Sequence, residues 1–275
     1  MTLMSVVTDA SRDGWALGSF SCPSLEAMHG ILKAAQSAEA PVVLTATLLE
    51  AERFGGSAFP TAVRALKVPY GVRAFSAIGP VAPTAVLRAV GFGPDLILID
   101  RTEDGGALDQ SASRLRELVQ LAHEQGQLVG APLPTELLDN ATTLESGVRE
   151  AHLKRFASIT GADLFLVPSG LASAADQLAA LIGALPAPIA LESRPVDAAL
   201  QTVGQLGLVL VPIGRDIDRA IVTALKGIGK HEDARTVFDC LDLVAAAVQR
   251  ASEKKLAVLG AERRAASGWV RREIV

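Results

Sequence analysis

The sequence predicts an α/β fold built as a single (β/α)8 barrel, and three observations carry the prediction. Short strand-like runs alternate with helix-like stretches eight times along the chain. The runs, among them Leu96-Ile-Leu-Ile99 and Leu208-Val-Leu-Val211, lack polar alternation, as suits parallel strands covered on both faces. Polar side chains gather where the runs stop, at the carboxyl ends of the strands, where parallel barrels bind their ligands. At 275 residues the chain matches one such barrel, so a single domain over 1–275 is expected.

In order, residues 2–11 place Leu3, Val6, Val7 and Ala10 at helical spacing, predicting an extra N-terminal helix under the barrel. Trp15–Phe20 reads as the first strand, and Ser24 as the N-cap of a helix carrying Leu25, Met28, Ile31, Leu32 and Ala35. Pro41–Thr47 is the second strand, with a helix running from it to about Lys67. Val68–Ser76 is the third and is followed by a helix over Ala85–Val90; Leu96–Asp100 is the fourth. A helix with Leu115, Leu118, Val119 and Ala122 leads to the fifth strand, Gln127–Ala131, and a long, mostly helical connection spans Pro132–Thr160. Leu164–Val167 is the sixth strand, before a helix with Leu178, Leu181 and Ile182. Pro188–Arg194 and Leu208–Asp216 supply the seventh and eighth. Helices are predicted over Ile217–Lys226 and Val237–Leu259. The last exceeds what closes a barrel, and either packs on its own barrel or pairs with a second copy as a homodimer. Four arginines lie between Arg263 and Arg272, a run that suits a solvated helix end.

Composition excludes several classes. The 26 basic against 30 acidic residues give a net charge of -4, no footprint for nucleic acid or an anionic membrane. Cys22 and Cys240 form neither a disulfide framework nor a CxxC site, so a reducing, cytoplasmic setting is expected. Met1–Gly14 holds no apolar core of a signal peptide, and no run of eighteen apolar residues follows, so a soluble chain is expected.

The barrel reading puts these at the mouth: Ser19, Ser21, Cys22, Thr45, Thr47, Arg73, Ser76, Asp100, Arg101, Thr102, Pro132, Ser169, Glu192, Ser193, Arg194, Arg215 and Asp216. Four arginines from four strands, Arg73, Arg101, Arg194 and Arg215, suggest an anionic ligand, because guanidinium matches phosphate and carboxylate. The competing reading pairs them with Asp100, Glu192 and Asp216. The expected anion-binding set is Arg73, Arg101, Ser193, Arg194, Gly214, Arg215, Asp216 and Thr47, favoured because phosphate sites recur after strands seven and eight.

From Asp13 to about Gly260 the chain resembles the class II fructose-bisphosphate and tagatose-bisphosphate aldolases. Gly14–Glu26 is similar to the family's opening strand and helix, and Ala40–Leu44 to its second strand. Gly91-Phe92, Leu98-Ile99-Asp100, Ala122-His123, Gly161-Ala-Asp163 and Ile213-Gly-Arg-Asp216 fall at further landmarks. The resemblance implies a zinc-dependent lyase of carbohydrate metabolism, yet the zinc motifs do not carry over. The Leu-Asp-His-Gly motif after the third strand matches Ala74, Phe75, Ser76 and Ala77. The later histidine positions match Ser173 and Glu192, and Ser193–Val196 replaces a Gly-Gly-Ser-Gly phosphate loop. The glutamates expected after strand five give way to Gly130 and Pro132. His29, His123, His152 and His231 lie on predicted helices or beyond the barrel, so no zinc cofactor is expected.

No lysine is placed inside the barrel for Schiff-base chemistry. Asp100 and Glu192 remain as candidate catalytic carboxylates for proton transfer, and their hard oxygens also suit Mg²⁺. Two functions follow. One is an aldolase-type lyase of altered, zinc-independent chemistry acting on a small sugar-phosphate-like or carboxylated metabolite. The other is a catalytically inactive paralogue serving as ligand sensor or partner subunit.

Overall fold

A computed structural model describes residues 2–101, 108–138, 146–193, 195, 197–228 and 236–264. Eight parallel strands pair in chain order and β8 closes on β1, the predicted barrel. They are β1 Leu17–Ser21, β2 Val42–Ala46, β3 Ala74–Val81, β4 Leu96–Ile99, β5 Leu128–Pro132, β6 Leu164–Val167, β7 Ile189–Leu191 and β8 Leu208–Ile213. Helix α1 (Leu3–Asp13) precedes the barrel. Its buried face of Leu3, Val6, Val7 and Ala10 lies on the lower, N-terminal side, where it packs against β8.

Around the barrel run α2 (Leu25–Ala38), α3 (Leu48–Phe54), α4 (Ala58–Tyr70), α5 (Val86–Phe92), α6 (Leu108–His123), α7 (Thr135–Leu138), α8 (Ser146–Thr160), α9 (Ala175–Ala184), α10 (Asp197–Leu200) and α11 (Arg215–Gly227). Ser24 caps α2 as expected, accepting from the Ala27 amide. The single helix expected after β2 is two, because Gly55 and Gly56 both take positive φ (97° and 66°) and break it.

The third strand is displaced from its expected position. Val68 is not in a strand: it lies in α4, 69% exposed. Pro69 is tolerated in the last helical turn, and the helix stops at Gly71, whose left-handed backbone (φ 63°) lets its amide cap the Lys67 and Val68 carbonyls. The strand therefore starts at Ala74. Val42, at the start of β2, donates to the Arg73 carbonyl, which fixes Arg73 at the lower end.

The C-terminal helix α12 (Val237–Val258) packs on its own barrel through α2 and α11. A Cβ on Gly30 would sit 2.5 Å from the Ala245 carbonyl oxygen and 2.8 Å from Val248 Cβ, so glycine is what lets α2 and α12 approach this closely. Beyond the helix, the Leu259 carbonyl accepts from Ala16 and Arg263 donates to the Ala38 carbonyl, tying the chain to the barrel's lower rim. The remainder of the arginine run, beyond Arg264, lies outside the described residues. Among those residues no helix is long and apolar enough to cross a membrane.

Candidate active site at the barrel mouth

Strand register sets which side chains look inward. The Ser19 and Thr45 hydroxyls meet in the barrel, and neighbours in register share a face, so Ala77, Leu98, Gly130, Leu166, Ala190 and Pro212 continue the inner rows. A Cβ on Gly130 would come within 2.9 Å of Leu98 and 3.2 Å of Leu166, so these two leucines fill the barrel beneath the mouth. Above them the ladder carries on past the strands: the Asp100 amide donates to Val81 (2.8 Å) and the Glu192 amide to Val167 (2.9 Å). Asp100 and Glu192 thus stand at the mouth, on β4 and β7, as their sequence positions suggested.

Arg101 organises that side. Its Nη2 donates to Glu192 Oε1 in an ion pair, and its Nη1 donates to the Leu133 carbonyl and to Thr135 Oγ1 (3.2 Å). The two charged side chains keep only 22% and 25% of their surface exposed. Asp100 Oδ1 accepts from the Arg101 amide at 2.9 Å, turning the backbone so that the guanidinium reaches across the ends of β5 and β7. One arginine therefore ties three strand ends together. Next to it Ser193 donates to Ser169 (3.1 Å), joining the ends of β6 and β7.

The β8 side differs from expectation. Helix α11 starts at Arg215 rather than near Ile217, so Arg215 and Asp216 are its first two residues. Gly214 supplies no side-chain cap to the first turn of α11, which also carries Asp216 and Asp218. Arg215 is exposed. Asp216 turns outward, 3.5 Å from Lys255 Nζ on α12. Gly214 has ordinary φ, and a Cβ there would meet only Ser21 at 3.7 Å, so its backbone does not require glycine.

Three further members of the expected set stand apart from this charged cluster: Arg73 at the opposite end, Thr47 at the carboxyl end of β2 but bound into a helix cap, and Arg194 outside the described residues. Arg73 lies at the opposite end of the barrel, a correction that follows from the β3 register. Thr47 is the N-cap of α3 in a capping box: its hydroxyl accepts from the Glu50 amide (3.2 Å) and donates to Glu50 Oε2 (2.8 Å). Arg194 lies outside the described residues, as does Thr102. Ser76 is also low in the barrel, where its amide and hydroxyl both donate to Asp95 Oδ2 (2.7 and 2.8 Å) just before β4.

Two acidic groups near the mouth were not singled out in the sequence. Glu50 on α3 and Asp218 on α11 face each other over the end of β1, and partial burial together with the Glu50 charge raises the Asp218 carboxyl above its ordinary range. Only the acid at the N3 position of a capping box could have signalled Glu50. Burial, then the same Glu50 charge, pushes the Cys22 thiol far up, so this residue is inert packing rather than a nucleophile.

A closed parallel barrel with ionised side chains at the carboxyl ends of β4, β7 and β8 has the architecture of a (β/α)8 enzyme scaffold. No family model matches the chain. It is 25% identical over 269 residues to a fructose-bisphosphate aldolase of Thermus caldophilus, covering 88% of this chain and 86% of the relative. The YdjI aldolase of Escherichia coli K12 superposes with a TM-score of 0.78 at 18% identity, over 96% of this chain and 99% of that one. A fructose-bisphosphate aldolase of Campylobacter jejuni does so at 0.77 and 12% identity, over 94% of each chain. The chain thus resembles fructose-bisphosphate aldolases in sequence and shares the barrel fold of the aldolase structures.

Among the described residues, the donors at this mouth do not fit the zinc ion that the resemblance to class II aldolases implies. With the corrected register, β3 ends in Ile78, Gly79, Pro80 and Val81, not in the Ala74–Ala77 segment, and none of these ligates or transfers a proton. His29 hydrogen-bonds Tyr70 (2.6 Å), His123 bonds Asp163 on the lower side (2.8 Å), and His152 lies on α8; His231 is outside the described residues. Among the described residues no three His, Cys, Asp or Glu side chains gather to hold a metal.

Proposed function

We propose that this barrel is an aldolase-type lyase of altered chemistry, acting on a small metabolite with a phosphate or carboxylate group. The observation that carries it is the mouth itself: Asp100, Arg101, Glu192 and Arg215 all stand at the carboxyl ends of strands, over an apolar floor of Leu98 and Leu166. Arg215 at the N-terminus of α11 receives the anion, where the helix dipole favours negative charge. Asp100 and Glu192, across the mouth, are the groups available to move protons. Glu192 is held in place by Arg101, and Asp100 has one oxygen committed to the Arg101 amide and one left for a substrate.

A second reading, a catalytically inactive relative that senses a ligand, draws on the same ion pair, since Arg101 and Glu192 neutralise each other across the mouth.

Calorimetry with a panel of sugar phosphates and 2-oxo acids tests the binding. Losing a charge-assisted contact costs roughly 1.5–3 kcal/mol, about a 10- to 150-fold loss of affinity. Arg215→Ala is expected to weaken the best ligand by that order with an unchanged melting temperature, because an exposed side chain adds little to the core. A sharp drop in melting temperature, with no anion bound by the wild type, overturns the reading. Product analysis with the best ligand then separates lyase from sensor.

A further inference from the structure

We infer that the Arg101–Glu192 ion pair is a latch opened by the ligand: a carboxylate on the ligand takes the Nη2 position of Arg101 and releases Glu192 into the mouth. This rests on the proposed anion-binding function and narrows its ligand to a carboxylated metabolite.

The asymmetry of Arg101 is what points to it. One terminal nitrogen, Nη1, is held by two neutral acceptors on the β5 side, the Leu133 carbonyl and Thr135 Oγ1. The other, Nη2, carries the bond to the Glu192 carboxylate. When Glu192 leaves, the guanidinium keeps its anchor and its position, so the cationic site is preformed and only its occupant changes. An incoming carboxylate replaces a carboxylate at Nη2, so one charge-assisted bond is lost and one of the same kind is made.

Both side chains also retain some exposure, enough for a ligand to reach the pair from solvent. The released Glu192 continues the inner row of β7, its amide still on the Val167 carbonyl, so it swings over the mouth and not away from it. In the free protein Glu192 is thereby masked, and it becomes available for proton transfer only when a ligand is present. Arg101 binds the ligand in this scheme, and Thr135 is a positioning residue that holds it.

The competition has a signature that a merely structural ion pair lacks: removing the competitor tightens binding. Pyruvate and inorganic phosphate are titrated into the wild-type protein, Glu192→Gln, Glu192→Ser, Arg101→Gln and Arg215→Ala, with melting temperatures recorded for each. Both Glu192 variants are expected to bind pyruvate about two- to fivefold more tightly than wild type, the effect of removing a partly exposed ionic competitor. Arg101→Gln is expected to lose that gain and to bind pyruvate more weakly than wild type. Unchanged or weaker pyruvate binding in both folded Glu192 variants overturns the latch. If Arg215→Ala nevertheless weakens phosphate, the anion-binding function stands without it; if no anion binds any of the proteins, both fall.

Discussion

His123 Nε2 lies 2.8 Å from Asp163 Oδ2, and the same carboxylate oxygen accepts from the Val129 amide at 2.8 Å. Both residues stand among the landmarks on which the resemblance to the aldolases rests, yet they meet at the lower end of the barrel, where α6 ends and β5 and β6 begin. Their role is to fasten a helix end to two strand starts. Asp163→Ala strands the Val129 amide and the His123 ring, and an unsatisfied buried donor costs about 1–3 kcal/mol. Thermal unfolding is expected to show that loss, while anion binding at the opposite end stays as in wild type. A variant that melts normally but no longer binds anions would assign Asp163 to the site instead.

The mouth predicts a clear departure from the family's chemistry. With Ile78–Val81 at the end of β3 and no cluster of three ligating side chains among the described residues, the purified protein is expected to carry no stoichiometric zinc. It is also expected not to cleave fructose 1,6-bisphosphate. Elemental analysis after dialysis checks the first, and a cleavage assay with and without chelator the second. One zinc per chain, or cleavage that a chelator abolishes, would falsify this assignment of the mouth.

Packing of the C-terminal helix offers a stability test far from the site. Gly30→Leu forces a side chain against the Ala245 carbonyl and Val248, where even a Cβ comes within 2.5 Å of backbone. Overpacking of this kind costs typically about 1–3 kcal/mol, more when backbone must move. A clear fall in melting temperature is expected. If the variant is as stable as wild type, α12 does not dock on α2 in solution.

The Asp218 carboxyl gives a pH-dependent signature. Because its folded pKa is raised, the folded state holds this proton more tightly than the unfolded chain does, so stability falls as pH rises from the unfolded value through the folded one. Above that window the partly desolvated charge beside Glu50 opposes folding; below it the cost is absent. Asp218→Asn is therefore expected to be more stable than wild type near neutral pH, with the difference shrinking toward acid. Equal denaturant midpoints at both ends of the range would show that Asp218 is solvated like any surface carboxylate.

Much of the architecture was legible from the chain alone, because it depends on local pattern. Leu96-Ile-Leu-Ile99 and Leu208–Val211 read as strands covered on both faces, and Ser24 as a cap, since run length and capping chemistry are written in neighbouring residues. The placement of Asp100, Glu192 and Arg215 at strand ends followed from the same runs. What tertiary structure alone decided is where strands start and which partner each charge finds. α4 ends at Gly71 rather than near Lys67, and pairing of β3 with β2 then sets the register; that moved Arg73 and Phe75 to the lower half of the barrel. Asp216 turns to a lysine some forty residues on, and Arg101 reaches Glu192 across three strand ends. Local pattern places a side chain on an element, but a charge is neutralised by whatever the fold brings within a few ångströms, and those neighbours are distant in sequence.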